Sequence, residues 1–380
     1  MPMQQSCTIF AHRYINNKQK YIHRAGLLKK TTYIMKKRRL IITLASLVAA
    51  LTTIAVISCG ILYYLVKSPQ VTLEETAYIY IYPHDTSTTI LNKIRGVASP
   101  SSTVGFKILA KHNNFDKVAR SGKYAICNKD SWHDIYSRIV RKEQTPVKVV
   151  VPSVRKFQQM SHVLSEQLMF DSIKIMEFFS NPTYINQLGY TLETFPTLIL
   201  PNTYEVYWNI MPEQFIARMM KERRKFWNEE RLAKAKALNM TPEEVATLAS
   251  IVDEETNNNA EKPIVAGLYI NRLKRNIPLQ ADPTVKFALG DFARKRILLA
   301  DLEVESPYNT YKRTGLPPGP IRIATIAGIE SVLNYARHNY IYMCAKEDFS
   351  GTHNFATTLS EHNANARRYQ EALNKLNIKK

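Results

Sequence analysis

The sequence is poor in cysteine and glycine. Four cysteines occur in 380 residues, and Cys127 and Cys344, which follow the N-terminal segment, are 217 positions apart. That separation excludes a disulfide framework and a cysteine-based metal motif, so two free thiols are expected. Twelve glycines argue against a long flexible linker. The length and a hydrophobic content of 45% suit two or three globular domains.

Acidic residues are missing from residues 1–39, which carry ten Lys or Arg and therefore half of the net charge of +20. All charge is missing from the next 27 residues, Leu40 to Val66, a length that spans a bilayer. Because basic flanks stay inside the cell, we expect 1–39 to be a cytoplasmic tail and 40–66 a single transmembrane helix. Residues 67–380 would lie on the external, periplasmic side of the cytoplasmic membrane. The charge is thus explained by topology, and no nucleic-acid partner is expected.

The processing of this segment has two alternatives. Met35 is an alternative start, since Lys36 to Val66 already form a complete anchor. Residues 56–59, which end at Cys59, are similar to a lipoprotein cleavage site. The apolar run continues through residues 61–66, however, which favours an uncleaved helix.

Residues 67–145 carry a strand-helix-helix-strand pattern. This order resembles a LysM-like module, a fold that binds the glycan chains of cell walls. A generic α+β linker domain is the alternative. The predicted elements are strand 77–83, helices 85–96 and 101–112, strand 123–127 and a further helix 131–142.

Residues 146–380 mix strands and helices. Val147–Val151 is expected to be a strand, and periodicity predicts helical structure within 153–180 and 211–236. We therefore expect an α+β fold with one N-terminal transmembrane helix, a LysM-like βααβ module and a mixed α/β domain.

An acidic helix is predicted in this last domain. Thr241 can cap it and Glu244 completes a capping box. At about 100° per residue, Glu255 falls at the edge of the apolar face, Asp253 lies further round and Glu254 points nearly opposite. Burial against apolar surface would raise the pKa of Glu255 and make it a proton donor near neutral pH. A solvated helix end is the alternative.

Polar and aromatic residues recur on Pro-containing loops after this helix. Flat aromatic faces with fixed polar groups suit a sugar-binding groove. Taken singly, each segment is also compatible with an ordinary turn or loop. The segments are Leu279–Thr284, Ser306–Tyr311, Thr314–Ile321 and Gly351–Phe355.

In this order the motifs resemble the endolytic murein transglycosylases of the MltG or YceG-like family. The resemblance covers roughly residues 70–375 and includes Ala-Ser-Ile before the acidic cluster, Leu-Gln-x-Asp-Pro-Thr, Tyr-Asn-Thr-Tyr, Gly-Leu-Pro-Pro-Gly-x-Ile and His-x-Phe. The family's catalytic glutamate directly precedes Thr, which maps it onto Glu255. The chain departs from the family pattern in two motifs. The family often has Glu-Lys-Glu-Thr where this chain has Asp253-Glu254-Glu255-Thr256, and Asn202 replaces an Asp, so no acid–base role is expected at 202.

The resemblance implies a membrane-anchored lytic endotransglycosylase that cuts MurNAc-GlcNAc β-1,4 bonds within nascent peptidoglycan strands and so terminates them during wall assembly. Glu255 would protonate the glycosidic oxygen, and its carboxylate would then take the proton of the C6 hydroxyl, leaving a 1,6-anhydro end. No metal or cofactor is implied. The implied partners are peptidoglycan strands, the membrane and cell-wall synthesis enzymes. The residues that would orient the sugar are Gln280, Asp282, Tyr308, Asn309, Tyr311 and His353.

Three alternatives remain at this stage. One is a non-catalytic anchor that binds wall glycan through the same groove. Another is a water-using muramidase, which needs a second carboxylate, and Asp282 is the motif candidate. A structural scaffold for wall-synthesis enzymes could coexist with catalysis.

Overall fold

The N-terminal helix is the longest element of the chain. In the computed structural model, which describes residues 3–294 and 297–375, helix α1 (Met3–Lys67) continues through the predicted boundary after residue 39. No proline lies between Pro2 and Pro69, so the helix has no proline that would break it. Within the described residues, α1 is the one helix long and apolar enough to cross a membrane, over Ile15–Lys67. It is compatible with single-pass anchoring.

The first compact unit comprises residues 1–120 and 124–143. Its short sheet pairs β1 (Ala77–Ile81) with β2 (Gly122–Ile126), and its core includes the fully buried Ile90, Phe106 and Trp132. The predicted element order is present, with one additional short helix before β2. The LysM-like character of this unit stays a prediction. Its helices are α2 (Ser87–Val97), α3 (Val104–His112), α4 (Phe115–Val118) and α5 (Trp132–Val140).

The second unit comprises residues 121–123 and 144–380. It begins with an antiparallel strand pair, in which Val147 lies opposite Val206 and Val151 opposite Asn202. The predicted helical stretch 153–180 divides into two helices, because Asp171 caps a new one. The elements are β3 (Val147–Val151), α6 (Phe157–Gln167), α7 (Ser172–Ser180), α8 (Pro182–Gln187), a 3₁₀ turn (Phe195–Leu198) and β4 (Asn202–Val206).

The rest of this unit is mainly helical. The predicted stretch 211–236 also divides, at Asn228, whose side chain caps the second helix. The strands of the C-terminal hairpin are antiparallel, with Ala345 opposite His353. The elements are α9 (Pro212–Phe226), α10 (Glu229–Ala237), α11 (Pro242–Glu255), α12 (Lys262–Lys274), α13 (Asp282–Leu289), a 3₁₀ turn (Leu299–Glu303), α14 (Ile326–Leu333), β5 (Tyr342–Ala345), β6 (His353–Ala356) and α15 (Leu359–Lys375).

Helix α11 is the central element of this core. Its predicted capping box is present: Thr241 Oγ1 accepts from the Glu244 amide, and the Glu244 carboxylate accepts from the Thr241 amide. Every residue from 245 to 253 is buried, so the apolar stripe predicted from the sequence is too narrow. Two buried hydroxyls make this possible, because Thr247 and Ser250 donate to backbone carbonyls within the helix. The helix therefore places its C-terminal carboxylates inside the domain.

Candidate functional site

Glu255, the last residue of α11, lines a cavity of about 370 Å³. The hydroxyl of Tyr269, on α12, donates a hydrogen bond to Glu255 Oε1 at 2.7 Å. Tyr269 is itself only 2% exposed, so the surrounding packing fixes this donor. Apolar side chains, among them Leu268 and Leu279, also line the cavity. The sequence-based expectation that Glu255 lies against apolar surface agrees with this position.

The environment of Glu255 raises the pKa of its carboxyl group from the ordinary 4.5 to about 7, chiefly because burial penalises the charged form. The hydrogen bond from Tyr269 and the charge of His353 lower this pKa, whereas the charges of Asp282 and Glu254 raise it. Burial, together with the nearby Glu255, raises the pKa of Tyr269 well above its usual range, so this residue remains a hydroxyl donor. A carboxyl group that titrates near neutral pH can both donate and accept a proton.

Glu254 has a different environment. Arg155 donates from Nε and Nη2 to the two carboxylate oxygens at 2.7 and 2.6 Å, and Arg322 Nη1 donates to Oε1 at 3.2 Å. Its side chain is 10% exposed and does not line the Glu255 cavity. As predicted, the Glu254 side chain points away from the apolar face that carries Glu255. Its carboxylate is bound by two arginines instead of being hydrated by solvent.

Asp253 is a structural residue. Lys262 Nζ lies 2.6 Å from Oδ1, and both groups are almost completely buried. The backbone amide and hydroxyl of Thr325 also donate to this carboxylate, at 2.7 and 2.9 Å. A Cβ on Gly328 would lie 2.6 Å from the carboxylate oxygens, which explains the glycine. Asp253 thus ties α11 to the first turn of α14.

Four of the predicted sugar-orienting residues line the same cavity as Glu255: Gln280, Asp282, Tyr311 and His353. Gln280 accepts a hydrogen bond from Arg272 Nη2 at 2.5 Å, and Tyr311 donates its hydroxyl proton to Asp282 Oδ1 at 2.5 Å. The cavity volume falls within the range of about 300–1,000 Å³ seen for ligand pockets. It therefore combines one candidate proton donor with fixed polar groups.

The backbone around Gln280 and Asp282 is well defined. Gln280 has a positive φ of 53°, an uncommon conformation for a residue with a side chain. The backbone N–H of Gln280 donates a hydrogen bond to the carbonyl of Thr310, which ties residues 279–282 to the Tyr308–Tyr311 loop. The Asp-Pro pair predicted a turn, but Asp282 is instead the first residue of α13. Proline is favoured in the first helical turn, where its missing N–H leaves no bond unmade.

Asn309 does not contact the cavity. Its side chain is fully buried and donates to the carbonyls of Leu302 and Val304 at 2.7 and 2.9 Å. Its Oδ1 accepts from the Tyr311 amide at 3.0 Å. The prediction of direct substrate contact by Asn309 therefore does not agree with the structure, because no surface of its side chain is free. Its role is to hold the loop that carries Tyr311.

Tyr308 lies in a neighbouring cleft of about 290 Å³ rather than in the Glu255 cavity. Its ring centroid is 4.7 Å from that of Phe287, and Arg155 and Arg322 line the same cleft. The structure thus separates Tyr308 from the four residues grouped around Glu255.

His353 is held by a buried carboxylate. Glu261, which is 6% exposed, accepts from the His353 backbone amide at 2.7 Å and lies 3.1 Å from the ring Nδ1. The sequence reasoning did not single out Glu261, Tyr269 or Arg272 as site residues. The sequence holds one signal for Tyr269. Val265 and Ala266, four and three positions before it, are apolar and fall on the same side of the helix, so a hydroxyl at 269 lies on an apolar face and needs a hydrogen-bond partner.

Within the described ranges, no group of three or more His, Cys, Asp or Glu side chains is arranged to hold a metal ion.

The profile of the YceG-like family matches residues 79–368. An endolytic murein transglycosylase from Bacillus subtilis is 29% identical over 244 residues, which are 60% of this chain and 66% of the relative. An endolytic murein transglycosylase from Streptococcus pneumoniae is 32% identical over 134 residues, 34% of this chain and 24% of the relative. The chain thus spans less than two thirds of the length of these relatives.

A crystal structure of a YceG-like protein from Listeria monocytogenes matches the fold. Its TM-score is 0.53 at 24% sequence identity, and the match covers 77% of this chain and 99% of the other. At this identity the likeness concerns the fold alone.

Proposed function

The chain belongs to the YceG-like family, and on that basis we propose that it is a membrane-anchored lytic endotransglycosylase of peptidoglycan. It would cleave MurNAc-GlcNAc β-1,4 bonds within glycan strands and leave 1,6-anhydro-MurNAc ends. The observation that carries the proposal is the position of Glu255, a carboxyl group with a pKa of about 7 that lines a cavity of ligand size. The names of the relatives support the substrate class.

In this reaction Glu255 is the proton donor. Its protonated form gives a proton to the glycosidic oxygen as the bond to C1 of the muramic acid breaks. The C6 hydroxyl of the same sugar then closes on C1 and gives its proton to the Glu255 carboxylate, which restores the acid, and no water is consumed. A pKa near the working pH keeps enough of the acid protonated without making it too weak a donor. Tyr269 holds Oε1 in place through its hydrogen bond.

The other cavity groups would bind the sugar and stabilise the charge that develops at C1. Asp282 supplies a carboxylate oriented by Tyr311, and Gln280 presents an amide oriented by Arg272. Fixed dipoles and charges need no reorganisation as the reaction proceeds, which is the main electrostatic advantage of a preformed site. The burial of Asn309 supports a positioning role for it.

The cellular setting is part of the proposal. Helix α1 would hold the chain in the cytoplasmic membrane as a single-pass protein, with the basic N-terminus in the cytoplasm and the catalytic domain outside. In that location it would act on nascent strands near the wall-synthesis enzymes and terminate strand growth. The basic N-terminal charge supports this orientation.

The decisive experiment compares two adjacent carboxylates. The full chain in detergent is incubated with purified glycan strands, and products are weighed by mass spectrometry. Glu255→Gln should lower the rate by at least about 10²–10⁴, the usual contribution of a general acid. Glu254→Gln is the matched control and should keep most activity, because its partners Arg155 and Arg322 lie outside the cavity. The reverse pattern would refute the assignment.

The same digest distinguishes the alternatives. A water-using muramidase would give reducing muramic acid ends, each heavier by one water, and would make Asp282 the second carboxylate. A non-catalytic glycan-binding protein would retain strands on the wild-type chain without shortening them.

A further inference from the structure

We propose that helix α3 is a membrane-contact surface, in which Val104 and Ile108 insert among the lipids and Lys107 and Lys111 bind their headgroups. The partner is a phospholipid surface that carries anionic headgroups, at the level where α1 leaves the membrane. The proposal goes beyond the proposed function, because it concerns the first compact unit and not the Glu255 cavity. Its one premise is that α1 spans the membrane.

The last turn of α1 packs directly against α3. A Cβ on Gly105 would lie 2.0 Å from the backbone oxygen of Leu65, so the absence of a side chain at 105 is what allows the two backbones to approach this closely. The ring of Trp132 lies 2.8 Å from the same point. Both helices belong to the first compact unit. The contact therefore fixes α3 beside a known position in α1.

The position of Leu65 along α1 gives the depth of this contact. The uncharged run covers residues 40–66, and residue 53 is midway along it. With that run centred in the bilayer, Leu65 lies about 18 Å from the midplane, at about 1.5 Å per residue. The hydrocarbon core ends about 15 Å from the midplane, and the headgroup layer extends to about 20–22 Å. Leu65 and the α3 backbone beside it therefore lie in the headgroup layer.

The exposed face of α3 has the composition of an interfacial helix. Val104 and Ile108, one turn apart, are 48% and 37% exposed. At about 100° per residue they lie about 100° and 60° from Gly105, so they border the side that contacts α1. Lys107 and Lys111 lie further round the helix, and both are exposed. Apolar residues beside the span with lysines beyond them are the order expected of a helix that lies in the interface.

The charge of α3 is complementary to an anionic headgroup. The helix contains no acidic residue. Lys107 and Lys111 line a cleft of about 350 Å³ together with Lys117. The one carboxylate that lines this cleft, Asp116, accepts a hydrogen bond from the Ser87 amide. Three lysines against one carboxylate leave an excess of positive charge, and clustered lysines next to a membrane span bind anionic lipids.

The first test measures the depth of α3 in the full chain. The native cysteines are changed to serine, and spin labels are attached singly to Val104→Cys, Lys107→Cys, Ile108→Cys and Lys111→Cys in vesicles that contain phosphatidylglycerol. Collision with oxygen, which concentrates in lipid, should exceed collision with a water-soluble nickel complex at 104 and 108. The order should reverse at 107 and 111. Equal access of the nickel complex to all four labels would overturn the proposal.

The matched control is Tyr64→Cys in the same background, because Tyr64 lies near the end of α1 and is 67% exposed. Its label should collide mainly with oxygen. Free access of nickel to this label would refute the membrane span itself, and the proposal with it. A label in lipid at 64 with labels in water at 104 and 108 would refute only the α3 contact, so the two failures are distinguishable.

The second test keeps all four cysteines and does not depend on the folding of the serine background. Ile108→Trp should add fluorescence that brominated lipids quench, above the signal of the wild type, whose three tryptophans are buried. The matched control is Lys107→Trp on the neighbouring position, whose added fluorescence should be quenched less. Equal quenching of the two variants would contradict the proposed orientation of α3.

The third test varies the charge of the lipid. Each lysine near an anionic surface favours contact by about fivefold, so Lys107→Gln with Lys111→Gln should reduce the quenching of Ile108→Trp in phosphatidylglycerol vesicles to the level found in phosphatidylcholine vesicles. Lys221→Gln with Lys225→Gln is the matched control, since these exposed lysines are also one turn apart, on α9, and it should leave the quenching unchanged. Quenching of Ile108→Trp that is the same in both lipids would overturn the binding of anionic headgroups by α3.

Discussion

Glu255→Gln should make the folded protein more stable above neutral pH while removing its proposed proton donor. The pKa of Glu255 is raised from 4.5 to about 7 in the folded chain, mainly by burial. A carboxyl group with a raised folded-state pKa contributes stability that is fully present below about pH 4.5 and is lost as pH rises through about 7. At about 1.4 kcal/mol per pH unit, the loss over this window is about 3 kcal/mol. Glutamine has no charge to bury and is free of this loss.

The assay is thermal or denaturant unfolding of the full chain in detergent between pH 4 and 9. The advantage of Glu255→Gln over the wild type should increase by about 3 kcal/mol across the window, or about 6–12 °C in Tm for a unit of this size. The matched control is Glu177→Gln, which changes an exposed glutamate on α7 and should give a constant difference from wild type. A Glu255→Gln advantage that is independent of pH would refute the argument that burial raises this pKa.

Three further predictions follow from the same contacts. Tyr269→Phe removes the donor that lowers the pKa of Glu255. Because kcat should fall at high pH as Glu255 loses its proton, this fall should move to higher pH by about one unit in a pH–rate profile of the variant. Asp253→Asn leaves Lys262 buried without its counter-ion and should lower the free energy of unfolding by about 3–5 kcal/mol in denaturant titrations, with part of the loss recovered by adding Lys262→Met. A tag at the C-terminus should be cleaved by protease added outside intact spheroplasts, and its protection would contradict the proposed orientation.

Local signals in the sequence predicted local structure well. The capping box of Thr241 and Glu244 fixed the start of α11, and strand Val147–Val151 has the predicted bounds. These features depend on hydrogen bonds and side-chain alternation within a few residues. The single apolar run likewise predicted one N-terminal helix, although α1 extends beyond it in the N-terminal direction.

The contacts that define the site could not be read in the same way. Tyr269 lies 14 positions from Glu255, Thr325 lies 72 from Asp253, and Arg155 lies 99 from Glu254. Such pairs form only when separate helices and loops pack together, and periodicity within one helix does not determine them. For the same reason, the motif containing Asn309 marked the correct loop but did not show that this side chain faces inward.

The end of α11 illustrates how neighbouring carboxylates acquire different chemistry. A rotation of about 100° per residue sends Asp253, Glu254 and Glu255 in three directions. Asp253 meets Lys262 and Glu254 meets two arginines, so the negative charge of each is compensated. Within the described residues no lysine or arginine pairs with Glu255, which instead receives a neutral hydroxyl from Tyr269. Burial without a paired lysine or arginine is what raises its pKa, because the charged form is then the less stable one. The same lack of a lysine or arginine partner that makes Glu255 a useful acid near pH 7 is therefore what destabilises the fold when the acid ionises.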